Sequence, residues 1–173
     1  MLGALFLFTS QGIVMIHSGQ EYARSKVIAK SNINDKNVGK LDHNSYEKDN
    51  ETNYINYHHS DFNKKLVDYY KGLILLRNKY PAFRRTAYEN ISFFNIYDND
   101  FSLGYHLKYD KDEFIVMLNA AQNVEEEFKL PEGNWDILVD SEKAGIEKLR
   151  EVSGVLIVKP VSGIVLKKKK IRG

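Results

Sequence analysis

Pro81 divides this sequence by the spacing of its apolar residues. Before it, Phe62, Leu66, Tyr69, Tyr70, Leu73, Ile74, Arg77 and Tyr80 recur at three- and four-residue steps, which predicts a helix over 62–80. Ser60 or Asp61 can cap its first turn, Gly72 is a modest local cost, and Pro81 stops it. After Pro81 the period becomes that of strands. Strands are predicted at 91–97, 101–109, 113–119, 125–130, 135–139, 155–158 and 164–166, with turns at Asp98-Asn99-Asp100, Tyr109–Asp112, Pro131–Asn134 and Ser153-Gly154. Short strands at this spacing argue an antiparallel sandwich or barrel, and Phe101, Leu103, Tyr105, Leu107 and Tyr109 alternate along one of them.

The residues before the helix belong to another kind of structure. Met1–Phe8 is apolar almost throughout and suits a buried helix end. Gly12–Ile16 is apolar without alternation, which predicts a strand of the parallel type, buried on both faces. The segment 25–60 is rich in Asn, Asp, Lys, His and Tyr and reads as a long functional or disordered loop with at most a helical turn or two. One buried strand and one helix cannot cover each other's apolar faces, so they need the rest of a larger α/β domain. The expected fold class is therefore α/β plus all-β, with residues 1–81 ending an incomplete α/β body and 82–173 forming a β-domain.

Composition excludes several functions. With 43% hydrophobic and 28% charged residues among 173, the chain is globular rather than disordered. The net charge of +2 comes from Lys167–Lys170, read as a solvated tail, so no nucleic-acid partner is expected. There is no cysteine, hence no disulfide, thiol nucleophile or thiolate metal site. No apolar run reaches the ~20 residues that span a membrane. Met1–Phe8 resembles a short signal core but lacks a basic leader and cleavage motif, leaving cytoplasmic and secreted locations both open. His58 and His59 are adjacent and no third ligand stands at useful spacing, so no metal and no cofactor is expected.

The segment Leu7–Tyr22 resembles the type I pullulanases, debranching glycoside hydrolases of the α-amylase superfamily. Asn44-Ser45-Tyr46, Asp49, Asn53, Ile55 and Asn56 resemble that family's following loop, and Tyr69–Arg77 with Pro81–Arg84 its last barrel helix. Ile115–Ala120, Leu130–Val139, Glu142–Gly145 and Ile157–Leu166 resemble its C-terminal sandwich. The order is kept over nearly the whole chain. It departs from the family in the polar filler between Lys30 and Asn44, in Tyr57 where tryptophan is usual, and in the proline-poor Lys159-Pro160-Val161.

The resemblance implies the truncated end of a (β/α)8 barrel followed by an antiparallel sandwich, from an enzyme that hydrolyses α-1,6-glucosidic bonds in pullulan or branched α-glucans. Retaining hydrolysis needs two carboxyl groups about 5–5.5 Å apart. The family's catalytic carboxylates lie on earlier barrel strands with no counterpart here, so no catalytic residue is assigned and the chain alone is expected to be inactive.

Binding candidates, dependent on the missing barrel, are His17, Gln20, Asn44, Tyr46 and Asn53, because amides, hydroxyls and an aromatic face suit sugar hydroxyls and glucose rings. The competing reading is that Asn44 and Asn53 hold loop turns, that Tyr46 packs, and that His17 is a buried hydrogen-bonded histidine. Glu21 is read as a fold-supporting carboxylate near the cleft, Asp49, Glu51 and Glu125–Glu127 as solvated charges, and Trp135 as a core anchor. Expected partners are an α-glucan once the barrel is completed and a separate N-terminal half of the enzyme; otherwise the apolar surface of 1–16 and the helix predicts self-association. The alternatives are a non-catalytic α-glucan-binding β-module and a relic protein.

Overall fold

A computed structural model of the chain describes residues 1–96 and 99–170, so Tyr97, Asp98 and the turn and strand end predicted on them lie outside the described residues. The contacts divide the chain into two units, one of 1–15 with 68–173 and one of 16–67.

The larger unit is a mostly β, antiparallel domain. Its strands are β1 (Ile91–Phe93), β2 (Ser102–Tyr109), β3 (Asp112–Asn119), β4 (Glu126–Lys129), β5 (Trp135–Val139), β6 (Arg150–Val152), β7 (Val155–Val158) and β8 (Ser162–Lys168). Six of them form one sheet in the order β1-β2-β3-β8-β5-β6, and β4 pairs with β7 in a second. Strands β2 and β3 pair from Ser102↔Asn119 to Tyr109↔Asp112, and Asp110 takes the left-handed conformation that so short a turn requires. Ser153-Gly154, with Gly154 at φ 73°, carries the chain from one sheet to the other.

Alternation along the central strands sorts the side chains into two cores. Ile115, Met117, Ile137, Ile164 and Leu166 face the small sheet and meet Phe128, Leu130, Leu156 and Val158. Trp135 closes this core, fully buried, with Nε1 donating to the Pro131 carbonyl at 3.1 Å. The opposite face is covered by helices. There Phe114 lies between Tyr80 and Phe83, each ring centre 4.9 Å away and the rings tilted by 55° and 57°. The alternating Leu103, Tyr105 and Leu107 of β2 share that helical side with Leu118, Val116 and Phe114, their register partners on β3.

Helix α1 (Leu2–Thr9) is apolar on every side. Thr9 Oγ1 donates to the Leu5 carbonyl at 2.8 Å and accepts from the buried Tyr105 hydroxyl at 2.7 Å. Burial pushes the Tyr105 phenol up to about 12. A one-turn helix, α2 (His59–Phe62), precedes α3 (Lys64–Lys79), and α4 (Ala82–Arg85) follows Pro81. The predicted caps Ser60 and Asp61 thus fall inside α2, and Phe62 is exposed, because the helix breaks at Asn63.

The guanidinium of Arg77 on α3 is buried and donates to the carbonyls of Phe8 at 2.8 Å, Ser10 at 2.7 Å, Gly12 at 2.5 Å and Phe83 at 2.5 Å. These include carbonyls that the end of α1 leaves without an intrahelical partner. Gln11 ties the same corner to α4: its side chain donates to the Ala82 carbonyl at 2.8 Å and accepts from the Thr86 N–H at 3.1 Å.

Two expectations are corrected. Gly12–Ile16 forms no strand; it is unpaired, with Gly12 at φ 88°, Ile13 fully exposed and Met15 86% exposed. A parallel-type strand needs neighbours on both sides, and no described strand pairs with it. The barrel fragment expected from the resemblance is therefore not seen as a barrel. The lysine run is also not a free tail. Lys167 and Lys168 belong to β8, and the four lysines pair with carboxylates: Lys167 and Lys170 with Asp112 at 3.4 and 3.2 Å, Lys168 with Glu113 at 3.2 Å, and Lys169 with Glu151 at 2.8 Å.

His106 supplies a pH dependence. It is buried on β2 against the edge of Trp135, with Nε2 3.1 Å from Glu113. Burial holds its imidazole below the ordinary value, outweighing the pull of Glu113 and aided by Lys108 and Lys168. The unfolded chain therefore binds the extra proton first. Stability is complete above about pH 6.5 and falls as the pH drops below it, by at most about 1.4 kcal/mol per pH unit. Urea unfolding at pH 7.5, 6.0 and 5.5 is expected to show this slope, and His106→Gln to flatten it; an unchanged slope in the variant would assign it elsewhere.

Candidate functional site

The smaller unit, 16–67, is built by turns. Gly19 at φ 90° opens one 3-10 turn, Gln20–Tyr22, and Ala23 closes it in the left-handed region. A side chain at Gly19 would strike Arg24, so glycine is required there for conformation and for space. Val27 and Leu41 form an isolated bridge across the polar stretch that follows.

Arg24 and Asn53 hold these turns together. Arg24 donates to the carbonyls of Ser18 at 3.2 Å and Asn53 at 2.5 Å. The Asn53 side chain accepts from the Ser45 hydroxyl at 2.9 Å and donates to the Ser45 and Lys48 carbonyls. Its amide is therefore spent on the loop. Gln20 accepts from the His17 N–H at 3.2 Å and so also serves its own turn.

These bonds shape an open cleft of about 520 Å³ whose wall includes His17, Arg24, Lys26, Asp42, His43, Asn44 and Tyr46. Of the sequence candidates, His17, Asn44 and Tyr46 meet here, all three exposed. Tyr46 presents its ring to solvent, and its hydroxyl donates to Glu47 at 2.7 Å, which holds the phenol above its ordinary value. Asn44 shows its side chain, while its N–H donates to Asp42 at 3.0 Å. Glu21 lies outside this wall; its Oε2 and the hydroxyl of the buried Tyr22 are enclosed without hydrogen-bond partners among the described residues.

Asp42 is the one carboxylate of the cleft wall among the described residues. Lys48 at 2.5 Å and the Asn44 N–H hold it below the usual carboxylate range. A single, cation-bound carboxylate cannot provide the acid and nucleophile pair of glycoside hydrolysis. The cleft offers donors, amides and an aromatic face. Arg24, Asp42 and His43 carry no motif in the sequence; only the fold brings them to this wall. Among the described residues, no group of three His, Cys, Asp or Glu side chains is placed to hold a metal.

No protein-family model matches the sequence. Pullulanase A of Streptococcus pneumoniae serotype 2 is 29% identical over an alignment covering 83% of this chain and 15% of that protein. The pullulanase of Bacillus subtilis is 27% identical, covering 75% of this chain and 17% of that protein. The structure of pullulanase from Bacillus acidopullulyticus superposes with a TM-score of 0.79 at 28% identity, covering 96% of this chain and 20% of that one. This chain thus spans a fifth or less of the length of these proteins.

Proposed function

Since the chain is similar in sequence and structure to the C-terminal part of pullulanases, we propose that it serves as that part of a debranching enzyme acting on α-1,6-glucosidic bonds. The observation that carries this reading is the superposition over 96% of the chain, which includes the helical residues before Pro81 as well as the sheets. In this reading residues 1–81 are the last strand, loop and helix of a (β/α)8 barrel, and 82–173 its C-terminal sandwich. The bare Gly12–Ile16 segment is then a strand awaiting neighbours. The wall of His17, Asn44 and Tyr46 is one side of a glucan cleft whose catalytic carboxylates come from the N-terminal half of the enzyme. Without that half, the exposed Phe6, Ile13 and Met15 favour self-association.

Purified chain is expected to release no reducing sugar from pullulan. Mixed with a pullulanase barrel truncated before its last strand, it is expected to restore hydrolysis. Turnover by the chain alone, or a mixture without either activity or complex formation, would overturn the reading.

A further inference from the structure

A second hollow, of about 580 Å³, lies in the larger unit where the 99–101 and 120–124 loops meet. Its size falls within the roughly 300–1,000 Å³ of small-ligand sites. The rim is rigid. Asn119, wholly buried, accepts from the Ala121 N–H at 3.0 Å and donates to the Val124 carbonyl at 2.7 Å. Asn99 accepts from the Phe101 N–H at 3.1 Å and donates to Ser102 at 2.9 Å, and the Ala120 N–H joins the two loops through the Phe101 carbonyl at 2.8 Å. On this rim Phe101 is 68% exposed and Val124 56%. Gln122 and Asn123 stand exposed at the tip.

We infer that this hollow is a second carbohydrate site, which takes a neutral α-linked glucan chain with one glucose ring against Phe101. The ring offers a flat apolar face to the C–H side of a sugar, and the amides of Gln122 and Asn123 offer donors and acceptors to its hydroxyls. Loops already pinned by their own hydrogen bonds lose little freedom on binding. The only charged residue of the lining among those described is Asp100, which turns away anionic polymers. The sugar chemistry stands on these residues; the choice of α-linked glucose rests on the function proposed above.

Calorimetric titration of the full chain with maltohexaose tests the site. Saturable binding is expected, weakened at least tenfold by Phe101→Ala and severalfold by Asn123→Ala. Phe62→Ala, which removes another exposed phenylalanine, is expected to bind as wild type does. Wild-type affinity in Phe101→Ala, an equal loss in Phe62→Ala, or equally tight binding of cellohexaose would each overturn the inference. A chain that binds maltohexaose through Phe101 yet fails to complete a truncated barrel would keep this site and remove the proposed function. The reverse result would do the opposite.

Discussion

Arg77→Leu is expected to destabilise the larger unit by about 3 kcal/mol, because leaving a buried carbonyl without its donor costs roughly 1–3 kcal/mol for each one stranded. The carbonyls of Phe8 and Phe83 are wholly buried at this corner, and those of Ser10 and Gly12 partly so. Leucine restores apolar volume and releases the arginine from a desolvated site, which keeps the loss below the sum of four bonds. At about 3 °C per kcal/mol for a chain of this length, the melting point should fall by roughly 10 °C. Arg77→Lys should recover only part of it, since one ammonium cannot span four carbonyls fixed by a planar fork. Calorimetry of the three proteins settles the matter; a leucine variant melting with the wild type would mean that water reaches these carbonyls.

Gly72→Ala separates two arguments that differ in sign. Helix propensity alone promises a gain of about 1 kcal/mol from alanine in mid-helix. The structure promises a loss, because a Cβ at Gly72 would collide with the Ala144 carbonyl, which is backbone and cannot swing aside. Overpacking of this kind costs about 1–3 kcal/mol. The nearby bond from the Tyr69 hydroxyl to the Asp140 carbonyl, 3.0 Å, holds the same stretch against the helix. We expect a net loss of about 2 kcal/mol in urea unfolding. A stabilised variant would show that α3 does not press on residues 140–144 in solution.

Gly72 also marks where the sequence stops being readable. A glycine in a helix looks like a flaw until the backbone packed against it is known, and residues 72 and 144 are far apart in the chain. The strands after Pro81 were legible because alternation and turn residues are local; Trp135–Val139 and Val155–Val158 fall where the pattern puts them. The strand β6 was not, since Arg150-Glu151-Val152 is a short polar edge and carries no apolar signature. Gly12–Ile16 has the composition of a buried strand, but a strand forms only beside others. The lysine run reads as a tail because the carboxylates that meet it, Asp112, Glu113 and Glu151, come from other strands. In the cleft, residue type pointed to His17, Asn44 and Tyr46, which share a wall. Residue type does not tell that the Asn53 amide donates to the Ser45 carbonyl or that the Gln20 side chain accepts from the His17 N–H, because that depends on which backbone groups lie within reach.

The sheet order sets a timetable for folding. β8, the last of its strands to leave the ribosome, lies between β3 and β5, and its Gly163 is packed against Leu5 near the start of the chain. The two parts of the sheet, β1-β2-β3 and β5-β6, cannot join before residues 162–168 emerge, so their apolar faces stay open until β8 arrives. Such late, long-range pairing folds slowly and leaves surface for chaperones to hold. Loss of residues 162–168 would take out the middle of the sheet rather than trim its edge.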